Sequence, residues 1–148
     1  MILRRLTVED TRRAGFRALV LEGMYSRHPG ASVNEEKLFS FCEALTASNH
    51  FAAIAEQDGE FCAYIGGFSA EHFWHDRQQL NIVGWYARRQ SVGAGMKLLR
   101  MALRWADEVP FIKSVLITVN SDVADRVNKM LVRRGIAAHA VSSFLIEV

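Results

Sequence analysis

A short apolar run, Leu80 to Tyr86, passes through Arg88-Arg89-Gln90-Ser91-Val92-Gly93-Ala94-Gly95 straight into a segment whose apolar residues recur at helical spacing. No other stretch constrains the fold as much. A strand feeding a helix through a glycine-bearing turn belongs to an architecture in which helices pack on a sheet. The helix is predicted from about Gly93 to Asp107, with Met96, Leu99, Leu103 and Ala106 inward and Lys97, Arg100 and Arg104 on the opposite side.

The remaining segments fit around this unit. Ile2 to Leu6 reads as a strand ending at Thr7, which with Asp10 makes a helix start, and the helix it opens is predicted from Val8 to Met24. His28-Pro29-Gly30 breaks it. Ser32-x-x-Glu35 offers a capping box for a second helix with Leu38, Phe41, Cys42 and Leu45 as its buried stripe. Phe51 to Ala55 and Phe61 to Phe68 flank Asp58-Gly59, a pair that supplies the positive backbone torsions of a tight hairpin. Ile112 to Val119 is β-prone, Ser121 to Arg133 is helical with Asn120 as its cap, and Val141 to Val148 reads as a last strand. The order β-α-α-β-β-β-α-β-α-β predicts a mixed α/β fold with a central sheet flanked by helices. At 148 residues, half of them apolar, the chain is expected to form a single domain over 1–148.

No apolar run approaches the ~20 residues of a membrane-spanning helix. Met1-Ile2-Leu3-Arg4-Arg5 places charges inside the first apolar stretch, so no secretory leader and a cytoplasmic protein are expected. Cys42 and Cys62 lack metal-ligand spacing, and no metal site is expected. The net charge is only +2, but Arg77, Arg88, Arg89, Lys97, Arg100 and Arg104 lie together without an intervening acid, an asymmetry that suits an anionic partner. Nucleic acid is disfavoured as that partner, because no zinc knuckle, aromatic RNP pattern or helix-turn-helix signal accompanies the charges.

Glycines at the start of a helix let backbone approach a ligand closely, and the unsatisfied N–H groups there favour negative charge. Gln90-x-x-Gly93-x-Gly95 therefore reads as a pyrophosphate cradle, or as an ordinary tight turn that needs glycine for its own geometry. A Walker loop would require Gly-Lys-Ser/Thr where Gly95-Met96-Lys97 stands, and a dinucleotide fingerprint a third glycine where Leu98 stands. Both fail. The stretch resembles motif A of the GNAT superfamily of acyl-CoA N-acyltransferases, Arg/Gln-x-x-Gly-x-Gly/Ala after the fourth strand. The likeness extends to the opening strand with Thr-x-x-Asp, the two helices, the hairpin and the helix ending Arg133-Arg134-Gly135-Ile136.

The resemblance implies acetyl-CoA as co-substrate, bound where the fourth and fifth strands part. It implies a cradle from the backbone of Gln90, Ser91, Val92, Gly93, Ala94 and Gly95, with Arg88 or Arg89 near a phosphate. It assigns the pantetheine arm to strand backbone at Trp85 and Ala87, and oxyanion support to the N–H of Trp85. Arg88 and Arg89 read equally well as solvated surface. The family's acidic base has no counterpart in Gln78-Gln79-Leu80-Asn81, and its thiolate-protonating tyrosine is replaced by Leu131. His72 and His75, beside Glu71 and Asp76, remain as proton acceptors, or as part of a loop whose Phe73 and Trp74 plug the sheet edge.

Two functions follow as expectations: an N-acetyltransferase acting on a small-molecule or protein primary amine by direct attack, or a non-catalytic acyl-CoA-binding module. The acids Glu22, Glu35 and Glu36 would suit a cationic acceptor. A homodimer resembles what many compact family members form.

Overall fold

In the computed structural model, residues 1–71, 76, 78–136 and 138 are described. The predicted strand Val141 to Val148 and the cluster His72 to His75 lie outside them. Met1–Thr118 form one compact unit, and Val119–Val148 a second.

Five strands make the sheet of the first unit: β1 (Ile2–Arg5), β2 (Phe51–Gln57), β3 (Glu60–Glu71), β4 (Gln78–Ala87) and β5 (Ile112–Ile117). They lie side by side in chain order, antiparallel except for the parallel β4–β5 pair. The hairpin joining β2 to β3 turns at Asp58 (φ 53°) and Gly59 (φ 79°), with Gln57 opposite Glu60, as the Asp-Gly pair predicts. All of Phe51 to Ala55 is buried, the continuous apolar run of a strand covered on both faces.

One cover consists of α1 (Val8–Arg12), α2 (Ala14–Arg27) and α3 (Glu35–Ala44). Phe16, Leu19, Val20, Phe39 and Leu45 pack there against Leu6, Ala52, Ile54 and Phe61. The other cover is α4 (Val92–Glu108). Its buried face is Ala94, Leu98, Leu99, Ala102 and Ala106, rotated from the predicted stripe, so that Met96 and Leu103 are only half-buried. Three alanines on that face let the helix axis lie close to the sheet, a preference that counting large apolar residues misses. Lys97 and Arg104 are exposed as predicted, while Arg100 is half-buried.

Two further expectations are corrected. The helix predicted from Val8 to Met24 is two helices, because Arg13 is extended (φ −74°, ψ 136°). Thr7 and Asp10 do form the capping box. Asp10, however, also takes two hydrogen bonds from the Arg4 guanidinium, at 2.6 and 2.9 Å, and Arg4 Nε reaches Glu56 at 3.3 Å. Arg13, turned out of the helix, stacks over Phe61 at 4.5 Å and faces Glu56 at 3.6 Å. The short α1 is thus pinned to β1 and β2 by charge, and α2 restarts at an angle suited to the sheet. The second helix is capped by Asn34, whose side chain accepts from Lys37 N–H at 3.1 Å, and not by Ser32.

In the second unit, α5 (Ser121–Arg133) has the predicted bounds. Asn120 stands at its cap without a side-chain cap bond. Gly135 (φ 67°) closes its other end, with Ile136 N–H bonded to the Leu131 carbonyl at 2.9 Å.

The Arg4 guanidinium, followed by the Thr7 groups, holds the Asp10 carboxyl down at about 2, against burial that pushes it up. A depressed carboxyl stabilises the fold above its unfolded value near 3.8, and the contribution is lost as pH falls through about 2. Asp10→Asn is expected to lower unfolding free energy by on the order of 2 kcal/mol at pH 7. In urea titrations its difference from the wild type should shrink steadily below pH 4.

Candidate functional site

β4 pairs with β5 only from Gln78 to Ile82, yet continues alongside β3 to Ala87. Among the described residues, no strand occupies its other edge from Val83 onward. The parting coincides with a bulge: Gly66 faces Gly84 and Gly67 faces Ile82, which leaves Val83 as an extra residue. The local sequence tolerates this because it is glycine-rich. A Cβ on Gly67 would come within 3.0 Å of the Asn81 carbonyl, and one on Gly84 within 3.2 Å of the Tyr64 ring. Paired interior glycines were the available sign of a bulge.

Hydrogen-bond alternation fixes which backbone groups face the open edge. Arg88 N–H bonds the Cys62 carbonyl at 3.0 Å, so the bonded pairs are those in register with it. Trp85 and Ala87, opposite Ile65 and Ala63, fall between them and direct their N–H groups away from β3. These are the two residues to which the motif resemblance assigns the pantetheine arm.

β4 then leads through one 3-10 turn, Arg89–Ser91, into the N-terminus of α4. Ser91 occupies the cap but makes no side-chain cap bond. The glycines of the motif differ in their surroundings. A Cβ on Gly93 would meet nothing within 4 Å, whereas one on Gly95 would lie 3.2 Å from Ala87 Cβ and 3.5 Å from the Trp85 indole nitrogen. Gly95 is packed closely against the strand; of the two, Gly93 is the one that leaves room for something outside the protein. Trp85 adds a side-chain role absent from the sequence argument, since its indole N–H donates to the Gly95 carbonyl at 2.9 Å.

The two arginines also separate. Arg88 Nε bonds Glu22 at 2.9 Å and its Nη1 bonds the Phe61 carbonyl at 3.2 Å, tying the end of β4 to α2 and β3. Glu22 raises the Arg88 pKa in turn. Arg89 and Gln90 are exposed at the turn, Ser91 and Ala94 are buried, and Gly93 is exposed.

Where the motif resemblance would place a carboxylate base, β4 carries an amide chain. Ser114 Oγ donates to Gln79 Oε1 at 3.3 Å, and Gln79 Nε2 donates to Asn81 Oδ1 at 2.8 Å. Asn81 Nδ2 in turn reaches the Gln79 carbonyl at 3.2 Å. Such a chain accepts no proton at neutral pH. His50, whose Nδ1 accepts from Ser69 N–H at 3.0 Å, is structural.

An apolar cavity of about 100 Å³ lies between α2, α3 and the bulged part of the sheet, with Val83 and Gly84 in its wall. The α3 residues read as a buried stripe, Leu38, Phe41, Cys42 and Leu45, line it. Only Leu45 is fully buried, and Phe41 is 41% exposed. Glu35 and Glu36 are exposed at the start of α3 and do not line it, nor does Glu22.

No family model and no curated protein matches the sequence. Solved structures do match over almost the whole chain. An aminoglycoside acetyltransferase from an uncultured soil metagenomic sample, in complex with sisomicin, is 14% identical with a TM-score of 0.70, over 99% of this chain and 95% of that one. Glucosamine-6-phosphate N-acetyltransferase from Arabidopsis thaliana gives 14% identity and a TM-score of 0.72, over 98% and 97%. Ribosomal-protein-alanine N-acetyltransferase from Brucella melitensis biovar Abortus 2308 gives 16% identity and 0.65, over all of both chains. The fold is the GNAT fold that the motif resemblance implies.

The contrast between the glycines is measurable in the free protein. Gly93→Ala should leave the melting temperature unchanged or raise it, since alanine favours the helix by roughly 0.5–1 kcal/mol. Gly95→Ala should lower stability by on the order of 1 kcal/mol, through crowding against Ala87.

Proposed function

We propose that the chain is an N-acetyltransferase that moves the acetyl group of acetyl-CoA to a primary amine. The observation that carries this reading is the open edge of β4, with Trp85 and Ala87 N–H groups directed to it, leading directly into a helix N-terminus where Gly93 is clear of other atoms. Extended pantetheine suits a strand edge, and a pyrophosphate suits the first turn of a helix. Gln90, Ser91, Val92, Gly93, Ala94 and Gly95 would supply that turn's backbone, with exposed Arg89 as the flanking cation. Arg88 serves instead to hold the turn in place through Glu22 and Phe61.

The bound donor contributes a thioester whose thiol, with a pKa near ~8.5, leaves tolerably at neutral pH. A neutral amine attacks the carbonyl carbon, the C–S bond breaks with departure of thiolate, and the nitrogen gives a proton to water or to a nearby imidazole as the amide forms. The Trp85 N–H supports negative charge on the carbonyl oxygen. Gln79 and Asn81 can orient a water near the nitrogen but cannot take its proton. His72 and His75 are the proposed proton acceptors near the amine. A non-catalytic acyl-CoA-binding role is the second reading, favoured by the engagement of Gln79 with Ser114 and Asn81 where a base would stand.

Calorimetric titration with acetyl-CoA tests the cradle. Saturable binding is expected for the wild type, weakened about 100-fold or more by Gly93→Asp, whose carboxylate would meet the phosphates. Aspartate suits a helix's first turn, so this variant should keep its melting temperature. Equal binding by the two proteins, or none by the folded wild type, overturns the cradle. Turnover of any primary amine excludes the non-catalytic role.

A further inference from the structure

The cavity between α2, α3 and the sheet is not accounted for by the donor site. It meets that site at Val83 and Gly84, where β4 leaves β5. Its wall is apolar throughout: Val20 and Met24 come from α2, Leu38, Phe41 and Cys42 from α3, and Val83 from the bulge. None of its described lining residues carries a charge. The two ionisable ones are neutral near pH 7, since burial pushes the Cys42 thiol up to about 11 and raises the Tyr64 phenol further. At its mouth Phe41 is 41% and Val83 46% exposed, so apolar surface continues from the cavity to solvent. An unfilled apolar space of this kind forgoes packing contacts that a hydrocarbon group would restore.

We propose that this cavity receives the hydrocarbon part of the acceptor, and that the acceptor is an alkyl- or arylalkylamine with an uncharged body. The inference rests on the acetyltransferase reading for the identity of the reaction, but the cavity's preference is a property of the unit itself. A volume of about 100 Å³ suits a short branched alkyl group or one ring. The amine end of such a molecule lies at Val83 and Gly84, next to the open edge of β4. A polycationic amine has no carboxylate to meet in the cavity: Glu22 is engaged by Arg88, and Glu35 and Glu36 stand outside the lining. Charged groups buried there would be desolvated without compensation.

The test uses the full chain and a series from propylamine to hexylamine, with 2-phenylethylamine and spermidine. Amine binding is measured by calorimetry without acetyl-CoA, and kcat/KM by acetyl transfer. Affinity and kcat/KM should rise about fourfold per methylene until the cavity is filled. Spermidine should fall well below hexylamine. Cys42→Phe, which fills the cavity, should abolish the chain-length gradient while leaving acetyl-CoA affinity unchanged. Phe41→Glu changes a residue that is 41% exposed at the mouth and does not fill the cavity, so it serves even where the filled variant folds poorly. It should flatten the gradient too.

A gradient in amine binding from a protein without acetyl-CoA affinity supports the cavity assignment and overturns the acetyltransferase reading alone. A flat series, a preference for spermidine, or a gradient that survives both substitutions overturns the cavity assignment, whatever acetyl-CoA does.

Discussion

β4 is hydrogen-bonded on both edges only as far as Ile82; from Val83 to Ala87 it has β3 on one side and no strand of the described sheet on the other. Backbone N–H and C=O groups along such an edge must find partners, and an open edge inside a sheet invites an extended ligand as readily as another strand. The extra residue at Val83 gives the strand a bend where the pairing ends. What lies downstream, the turn and the first residues of α4, is aimed by that bend. A single irregularity in register thus coincides with the end of the β4–β5 pairing and with the strand edge left open beyond it.

A strand held on one edge needs other restraints to keep its geometry, and the structure supplies them from three directions. The Trp85 indole N–H holds the Gly95 carbonyl, locking the first turn of α4 to the strand it leaves. Arg88 bridges to Glu22 on α2 and to the Phe61 carbonyl on β3. On the face beneath α2, the rings of Tyr64 and Tyr86 lie 6.1 Å apart, and Gly23 admits them: a Cβ there would come within 2.9 Å of the Tyr86 ring. The exposed ion pair contributes little by itself. The part-buried contacts carry most of the positional information, and the ion pair adds to them.

Local chemistry made much of this legible in the sequence. Asp58-Gly59 dictated its turn, Thr7 and Asp10 their capping box, and the strand-turn-helix passage at Gln90 to Gly95 its place at the end of β4. What stayed hidden depends on contacts between distant residues. Arg13 leaves the helix for partners on Phe61 and Glu56, which no window around residue 13 contains. The face of α4 is set by alanines at 94, 102 and 106, whose role is proximity and not bulk. Gly93 and Gly95 look equivalent in a motif, and only the position of Ala87 separates a packing glycine from an open one. The stripe Leu38, Phe41, Cys42 and Leu45 was found as apolar, but periodicity cannot distinguish a wall of a cavity from a filled core.

In the proposed acetyl transfer, the pairing of a charged donor with an apolar acceptor space would bear on the absence of a carboxylate from β4. In the proposed complex, phosphates would be met by backbone N–H groups at the terminus of α4, where Arg89 is exposed and Gly93 is open. The amine would meet hydrocarbon. Only a neutral amine can attack a thioester, yet a free alkylamine, like a lysine, is largely protonated at neutral pH, with a value near ~10.4. Desolvation penalises the ammonium form and lowers that value, as it does for lysines buried in apolar surroundings. An amine whose hydrocarbon tail entered the proposed cavity would be partly desolvated beside it, which favours the neutral form that attacks. The amides Gln79 and Asn81, which take no proton themselves, would then have only to order a water near the nitrogen. On this reading apolar walls would supply part of what a carboxylate base otherwise provides, whereas a carboxylate in the same place would hold the ammonium charged.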